Sequence, residues 1–113
     1  MVEQEEDALT AVLKAASDPT RRRILTLLAQ EGPLRVTDLA HRFEISLNAV
    51  SKHIKALESA GLATRRTAWR EHLIELNTEP MELIDTWFTE LRSIWALRLE
   101  ALETLLTKET KDD

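Results

Sequence analysis

The chain has 113 residues, 43% of them hydrophobic, no cysteine, and a formal net charge of −5. That length suits one domain around one core, and the missing thiols exclude a disulfide framework and a thiolate metal site. No apolar run approaches the roughly 20 residues of a membrane span, and the acidic opening from Met1 to Asp7 is unlike a signal peptide. A cytoplasmic protein with no membrane partner is expected.

The acidity alone argues against a nucleic-acid partner, but its distribution reverses that reading. Residues 18–73 hold ten Lys/Arg against six Asp/Glu, while 1–17 hold one against four and 74–113 hold four against ten. A duplex senses the local field within a Debye length of roughly 10 Å, not the total charge.

The first predicted helix covers 5–16, with Leu9, Val12, Leu13 and Ala16 on one stripe and Glu5, Glu6 and Asp7 at the end where the helix dipole favours acids. Ser17-Asp18-Pro19 interrupts it. Asp18 is a ready N-cap and Pro19 fits the first helical position of a second helix. That helix runs to about Gln30, burying Ile24, Leu27 and Leu28, and Gly32-Pro33 stops it. Leu34 to Val36 can form a short strand. A third, short helix opens at Thr37 or Arg35 and presents Val36, Leu39, Ala40 and Phe43 to the core.

Glu44-Ile45 is a tight link to Ser46, an N-cap for a helix over 46–60. Leu47, Val50, Ile54 and Leu57, with Leu62 beyond, form an apolar stripe at helical spacing that can bury against a core. The other face carries Asn48, Ser51, Lys52, His53 and Lys55, with no acid until Glu58. Gly61 suits the left-handed residue past the helix end. Two short helices joined in this way make a helix-turn-helix, and the second has the width and the polar-to-basic face that a major groove accepts.

Residues 62–76 partly alternate at period 2 and read as a β-hairpin with its tip at Ala68 to Arg70, although the turn lacks Gly or Asn. A hairpin placed directly after such a helix is a wing. Arg65, Arg66 and Arg70 on it can reach phosphates or a minor groove. Asn77-Thr78 then caps a long helix from Pro80 to about Lys108. Met81, Ile84, Phe88, Leu91, Trp95, Leu102 and Leu105 follow a 3-4 spacing broken by Arg98, and Leu83, Trp87, Ile94 and Leu97 form a second stripe. A helix apolar on two faces has two things to cover, its own domain and a second copy of the chain. Lys108 to Asp113 reads as a polar tail that frays.

For several residues a plain structural role competes with a functional one. Arg21, Arg22 and Arg23 are expected to pair with acids on the helix surface, with a phosphate contact open to one of them. Trp69 is expected to fold back over the hairpin, the alternative being an exposed wing residue that touches the DNA backbone. His53 either packs at the helix-turn-helix or touches phosphate. His41, His53 and His72 sit on different elements without ligand spacing, and Ser51-Lys52-His53, being consecutive on a helix, do not converge as a catalytic set would. No metal, no cofactor and no enzymatic activity are expected.

Ser17-Asp18-Pro19-Thr20-Arg21-Arg22-Arg23-Ile24-Leu25, Val36-Thr37-Asp38-Leu39-Ala40, and Ile45-Ser46 with Ala49-Val50-Ser51-Lys52-His53-Ile54-Lys55-Ala56-Leu57-Glu58-Ser59-Ala60-Gly61-Leu62 together resemble the ArsR/SmtB family of bacterial winged-helix repressors, over roughly residues 8–76. The last helix, with Trp87-Phe88, Trp95 and Arg98-Leu99-Glu100-Ala101-Leu102, looks like a metal-independent subgroup often encoded beside small hydrophobic-ligand-binding proteins. The chain departs from the family pattern in three places. Arg35, Val36 and Thr37 stand where metal sensors place cysteines, and no His follows His72. Leu47-Asn48 replaces a usual Gln-Pro, so base readout must differ, and Ala68-Trp69 replaces glycine at the wing tip.

The fold expected is mainly α with a small β-hairpin wing, a winged helix-turn-helix of about five helices and two to three short strands. It forms a single domain over 1–113 with a DNA-binding core at 18–76 and dimerisation helices at 5–16 and 80–108. The function expected is a sequence-specific repressor that binds double-stranded operator DNA at an inverted repeat as a homodimer. The expected DNA-binding residues are Thr37, Ser46, Leu47, Asn48, Ser51, Lys52, His53, Lys55, Arg65, Arg66 and Arg70. The expected dimer interface is Leu9, Val12, Leu13, Trp87, Leu91, Ile94, Trp95 and Leu102. A small apolar effector between the last helices stays open. The competing reading is a winged-helix module that docks proteins and has lost DNA binding.

Overall fold

In a computed structural model, which describes residues 2–111, the chain forms five helices and a three-stranded antiparallel sheet among the described residues. Helix α1 (Val2–Ala15) leads into α2 (Pro19–Glu31), strand β1 (Leu34–Arg35), α3 (Val36–Phe43), α4 (Leu47–Ser59), the hairpin β2 (Ala63–Ala68) and β3 (Glu71–Leu76), and the long α5 (Met81–Lys111).

Local chemistry sets the helix starts. The Asp18 carboxylate accepts from the Arg21 N–H at 3.0 Å, and Pro19 occupies the first turn. Ser46 Oγ accepts from the Ala49 N–H at 3.1 Å. Each bond satisfies an amide that the first turn leaves without a helical partner. At the other end of α4, Gly61 takes a left-handed φ of 79°. Its carbonyl accepts from Asn77 Nδ2 at 2.9 Å, and the Asn77 N–H donates to the Leu62 carbonyl at 2.8 Å. The end of α4 is thereby tied to the start of α5.

The core gathers one face from each element. Val12, Ala15, Ile24, Leu28, Leu39, Val50, Ile54, Leu57, Leu62, Ala63 and Ile74 are buried together. Each large aliphatic of this set contributes ~1.5–3 kcal/mol by leaving water. Val50, Ile54 and Leu57 are the face α4 commits to the core. Leu47 does not join them: at the first position of α4 it lies clear of the others and stays 52% exposed.

In the sheet β3 is central, with β1 on one edge and β2 on the other. Leu34 and Arg35 pair with Ile74 and Leu73, and the hairpin register runs from Ala63 opposite Leu76 to Ala68 opposite Glu71. Arg35 fastens the β1 edge, donating to both Asp38 carboxylate oxygens and to Glu71 at 3.0–3.1 Å. Those bonds hold the Asp38 carboxyl below its ordinary range and raise the guanidinium.

Three expectations change. Arg21, Arg22 and Arg23 make no ion pair with an acid among the described residues. The Arg21 side chain donates to the Ala15 and Lys14 carbonyls, Arg22 donates to the Ala16 carbonyl at 2.7 Å, and Arg23 lies 5.3 Å from the centre of the Phe43 ring. The last carbonyls of α1 lack helical donors, and these arginines meet that need. Val12 is 1% exposed and belongs to the protomer's own core, so it leaves the interface set. Helix α5 runs to Lys111, past its expected end near Lys108; Asp112 and Asp113 lie outside the described residues.

Candidate nucleic-acid interface

Helices α3 and α4, joined through Glu44 to Ser46, form the helix-turn-helix. Glu44 makes the turn with a left-handed φ of 53°, its N–H returning to the Ala40 and His41 carbonyls. The chain is thus reversed without glycine, and α4 emerges at the surface beginning with its capped Ser46.

Asn48, Lys52 and Lys55 are exposed at spacings of four and three along α4, and half-buried Ser51 lies beside them. That spacing puts the four on one face of the helix, opposite Val50, Ile54 and Leu57. Asn48 and Ser51 can donate to or accept from base edges, and the two ammonium groups suit phosphate or guanine. Leu47 opens the same surface, and exposed Thr37 lies across a shallow groove from it, between α3 and the start of α4. His53 turns to the other flank, where its Nδ1 lies 3.8 Å from the Asp18 carboxylate, both groups being half-buried. The Arg21 N–H chiefly holds that carboxyl below its ordinary range, with His53 and the Arg21 guanidinium reinforcing it. His53 therefore bridges α4 to the cap of α2, and Ser46 spends its hydroxyl on its own helix.

The three wing arginines separate. Paired residues of a hairpin share a face and successive ones alternate. Arg65 lies opposite buried Ile74, on the side of α4, and its guanidinium meets Glu58 at 3.1 Å. Arg66, opposite Leu73, lies on the other face. Arg70 is in the two-residue turn. Arg66 and Arg70 make no ion pair among the described residues, nor do Lys52 and Lys55. Trp69, the other turn residue, does not fold back over the hairpin as expected. It is 90% exposed, with a φ of 62°. A residue type that favours strands gives no sign of this; the signal available was the missing glycine.

Trp87, Leu91, Ile94, Trp95 and Leu102 lie exposed along α5, Leu13 is exposed on α1, and Leu9 is half-buried. Trp87 stacks on Phe88 with centroids 5.1 Å apart. A groove of about 560 Å³ between α1 and α5 is lined by Glu5, Glu6, Glu82 and Glu90 as well as Leu9, Leu83 and Trp87. Among the described residues no group of three or more His, Asp or Glu gathers as a metal site would require, and no helix is long and apolar enough to cross a membrane.

A family description for a helix-turn-helix domain matches residues 16–66. The chain is 38% identical over 77 residues to the arsenical resistance operon repressor of Staphylococcus xylosus, covering 68% of this chain and 73% of that protein. Among solved structures it is similar to an ArsR-like transcriptional regulator from Rhodococcus, with a TM-score of 0.78 and 28% identity over 88% of this chain and 93% of the other. It is also similar to a homodimeric winged helix-turn-helix DNA-binding domain from Mycobacterium bovis, with a TM-score of 0.62 and 26% identity over 76% and 80% of the two chains.

Proposed function

The chain belongs to the ArsR family of winged helix-turn-helix transcriptional regulators, and from that premise we propose that it is a cytoplasmic repressor that binds an inverted-repeat operator as a homodimer. The observation that carries the reading is the α4 face that presents Asn48, Ser51, Lys52 and Lys55, backed by a buried stripe and flanked by a wing whose Arg66 and Arg70 make no ion pair among the described residues. Each protomer lays α4 in a major groove. Asn48 and Ser51 address base edges, Leu47 makes an apolar contact and Thr37 a backbone one. Lys52, Lys55, Arg66 and Arg70 meet phosphates or guanine. Arg65 and His53 act one step back, holding the wing and α2 to the recognition helix through Glu58 and Asp18. Two-fold symmetry sets the two recognition helices roughly 34 Å apart, one helical turn of DNA.

The dimer forms through α1 and α5, where Leu9, Leu13, Trp87, Leu91, Ile94, Trp95 and Leu102 supply the apolar surface. Repression follows from occupying the promoter. Four carboxylates around the α1–α5 groove make that groove a poor host for an uncharged apolar effector, since carboxylates must stay hydrated.

The test is a mobility shift of the purified protein on the promoter of its own gene across a salt series, with sedimentation for the mass. Nanomolar, competitor-resistant binding by a dimer is expected. The log–log salt slope should be several units, reaching about −7 if all four free cations of both protomers engage. A dimer with no preference for any promoter fragment would instead favour a protein-docking module.

A further inference from the structure

The exposed large apolar side chains fall in three places. Most line α1 and α5, Leu47 opens the recognition helix, and Trp69 stands alone at the tip of the wing. Trp69 is the most exposed of them at 90%, and its φ of 62° is left-handed. It is the first of the two residues joining β2 to β3, and Arg70, the second, has no positive φ. A positive φ at the first position alone is the pattern of a type II′ turn, whose usual occupant there is glycine. A bulky indole is held where a residue without a Cβ would be at ease, and it is left almost wholly in solvent. Backbone strain of this kind concentrates at functional positions.

The charges around it point one way. Arg66 and Arg70 bracket Trp69 without an ion pair among the described residues, while Glu71, the nearest acid, is held by Arg35. The wing therefore carries a bare aromatic ring at its tip and, on either side of it in sequence, a cation without an ion pair among the described residues. That suits a duplex edge, where phosphates line the groove walls and stackable base and sugar surfaces lie between them.

We propose that Trp69 is an apolar wedge that enters the DNA minor groove beside each half-site, with Arg66 and Arg70 on the flanking phosphates. The inference rests on the DNA-binding reading above. Side chains inserted in this way partly unstack a base step and bend the duplex. Trp69 then contributes to affinity through contact with the groove and not through charge, and it favours flanking sequences that deform easily.

The test compares full-length wild type, Trp69→Gly and Trp69→Phe on a promoter fragment that the wild type binds, by mobility shift across a salt series, with bend angle by fluorescence transfer and thermal unfolding alongside. Trp69→Gly relieves the turn, so its unfolding temperature should match or exceed that of the wild type. Its affinity should fall roughly ten- to a hundredfold at every salt concentration, the range of an aromatic–base contact. The salt slope should not change, because no phosphate contact is lost, and the bend should shrink. Trp69→Phe should retain most of the affinity. Unchanged affinity of Trp69→Gly would overturn the proposal. So would a loss accompanied by a shallower slope, which would mean that the wing had come away and that Trp69 was structural. Equal DNA binding by the two proteins with Trp69-dependent adsorption to phosphatidylserine vesicles would transfer the tip to a membrane surface. Failure of the wild type to bind any promoter fragment would bring down the underlying reading as well, and is seen before any variant is compared.

Discussion

Asp18 closes the first turn of α2 and faces His53 of α4. Its carboxyl is held below its ordinary 3.8, chiefly by the Arg21 amide. A carboxyl depressed on folding contributes stability that is complete above its unfolded value and lost as pH falls through the lowered one. Thermal unfolding of wild type and Asp18→Asn, from neutral pH down to about pH 3, should show the wild-type advantage shrinking only in the acid limb; a gap constant with pH would deny the linkage. On the opposite face, Ser51→Ala with Lys52→Ala should abolish specific operator binding while leaving the circular dichroism spectrum and unfolding temperature intact, and unchanged affinity would remove this face from the interface. Asp18, Ser46 and Gly61 were legible because capping is chemistry among neighbours in sequence. Arg21 and Arg22 were not, because their acceptors are carbonyls of the preceding helix that only tertiary packing presents. Arg65 and Arg66 read identically in sequence, and pairing in the hairpin gives them different faces.

Between elements, the joint at Gly61 fixes where α5 departs from the helix-turn-helix. A Cβ there would meet Pro80 Cγ at 3.2 Å on a backbone already at a φ of 79°. Gly61→Ala should therefore destabilise by more than about 1 kcal/mol. Ser46→Ala, which removes the cap of α4, should cost ~1 kcal/mol and weaken operator binding with it. Denaturant unfolding with an unchanged m-value checks both, and a neutral Gly61→Ala would show that the joint yields. The order and type of the elements could be read from the sequence because each is bounded by a cap, a proline or a glycine. The roles within α1 could not: its stripe serves two partners, and periodicity does not say that Val12 faces inward while Leu13 faces out.

The whole molecule is extended, 77 × 32 × 20 Å with a radius of gyration of 20.9 Å, where a compact chain of this length would have about 13 Å. The excess is α5, whose 31 residues reach about 46 Å and are exposed from residue 85 to residue 108. That the helix needs a second surface was legible from its two stripes, and a second copy of the chain was the expected cover; which stripe faces that copy was not legible, because periodicity offers both. Leu91→Glu with Trp95→Glu should give a monomer by sedimentation that has lost operator affinity while its helix-turn-helix stays folded. A double variant that remained dimeric would move the interface elsewhere.

That unshielded length of α5 also bears on how such a regulator would behave in time. When the DNA-competent species is a pair and the lone chain is the dissociated form, promoter occupancy at low abundance rises with the square of the number of chains, not in proportion to it. Halving the pool at cell division then costs the promoter about three-quarters of its occupancy in that regime, and a gene that represses itself in this way refills the pool quickly and stops abruptly. The steepness of the switch would reside in the seam of α1 and α5, before any effector is involved.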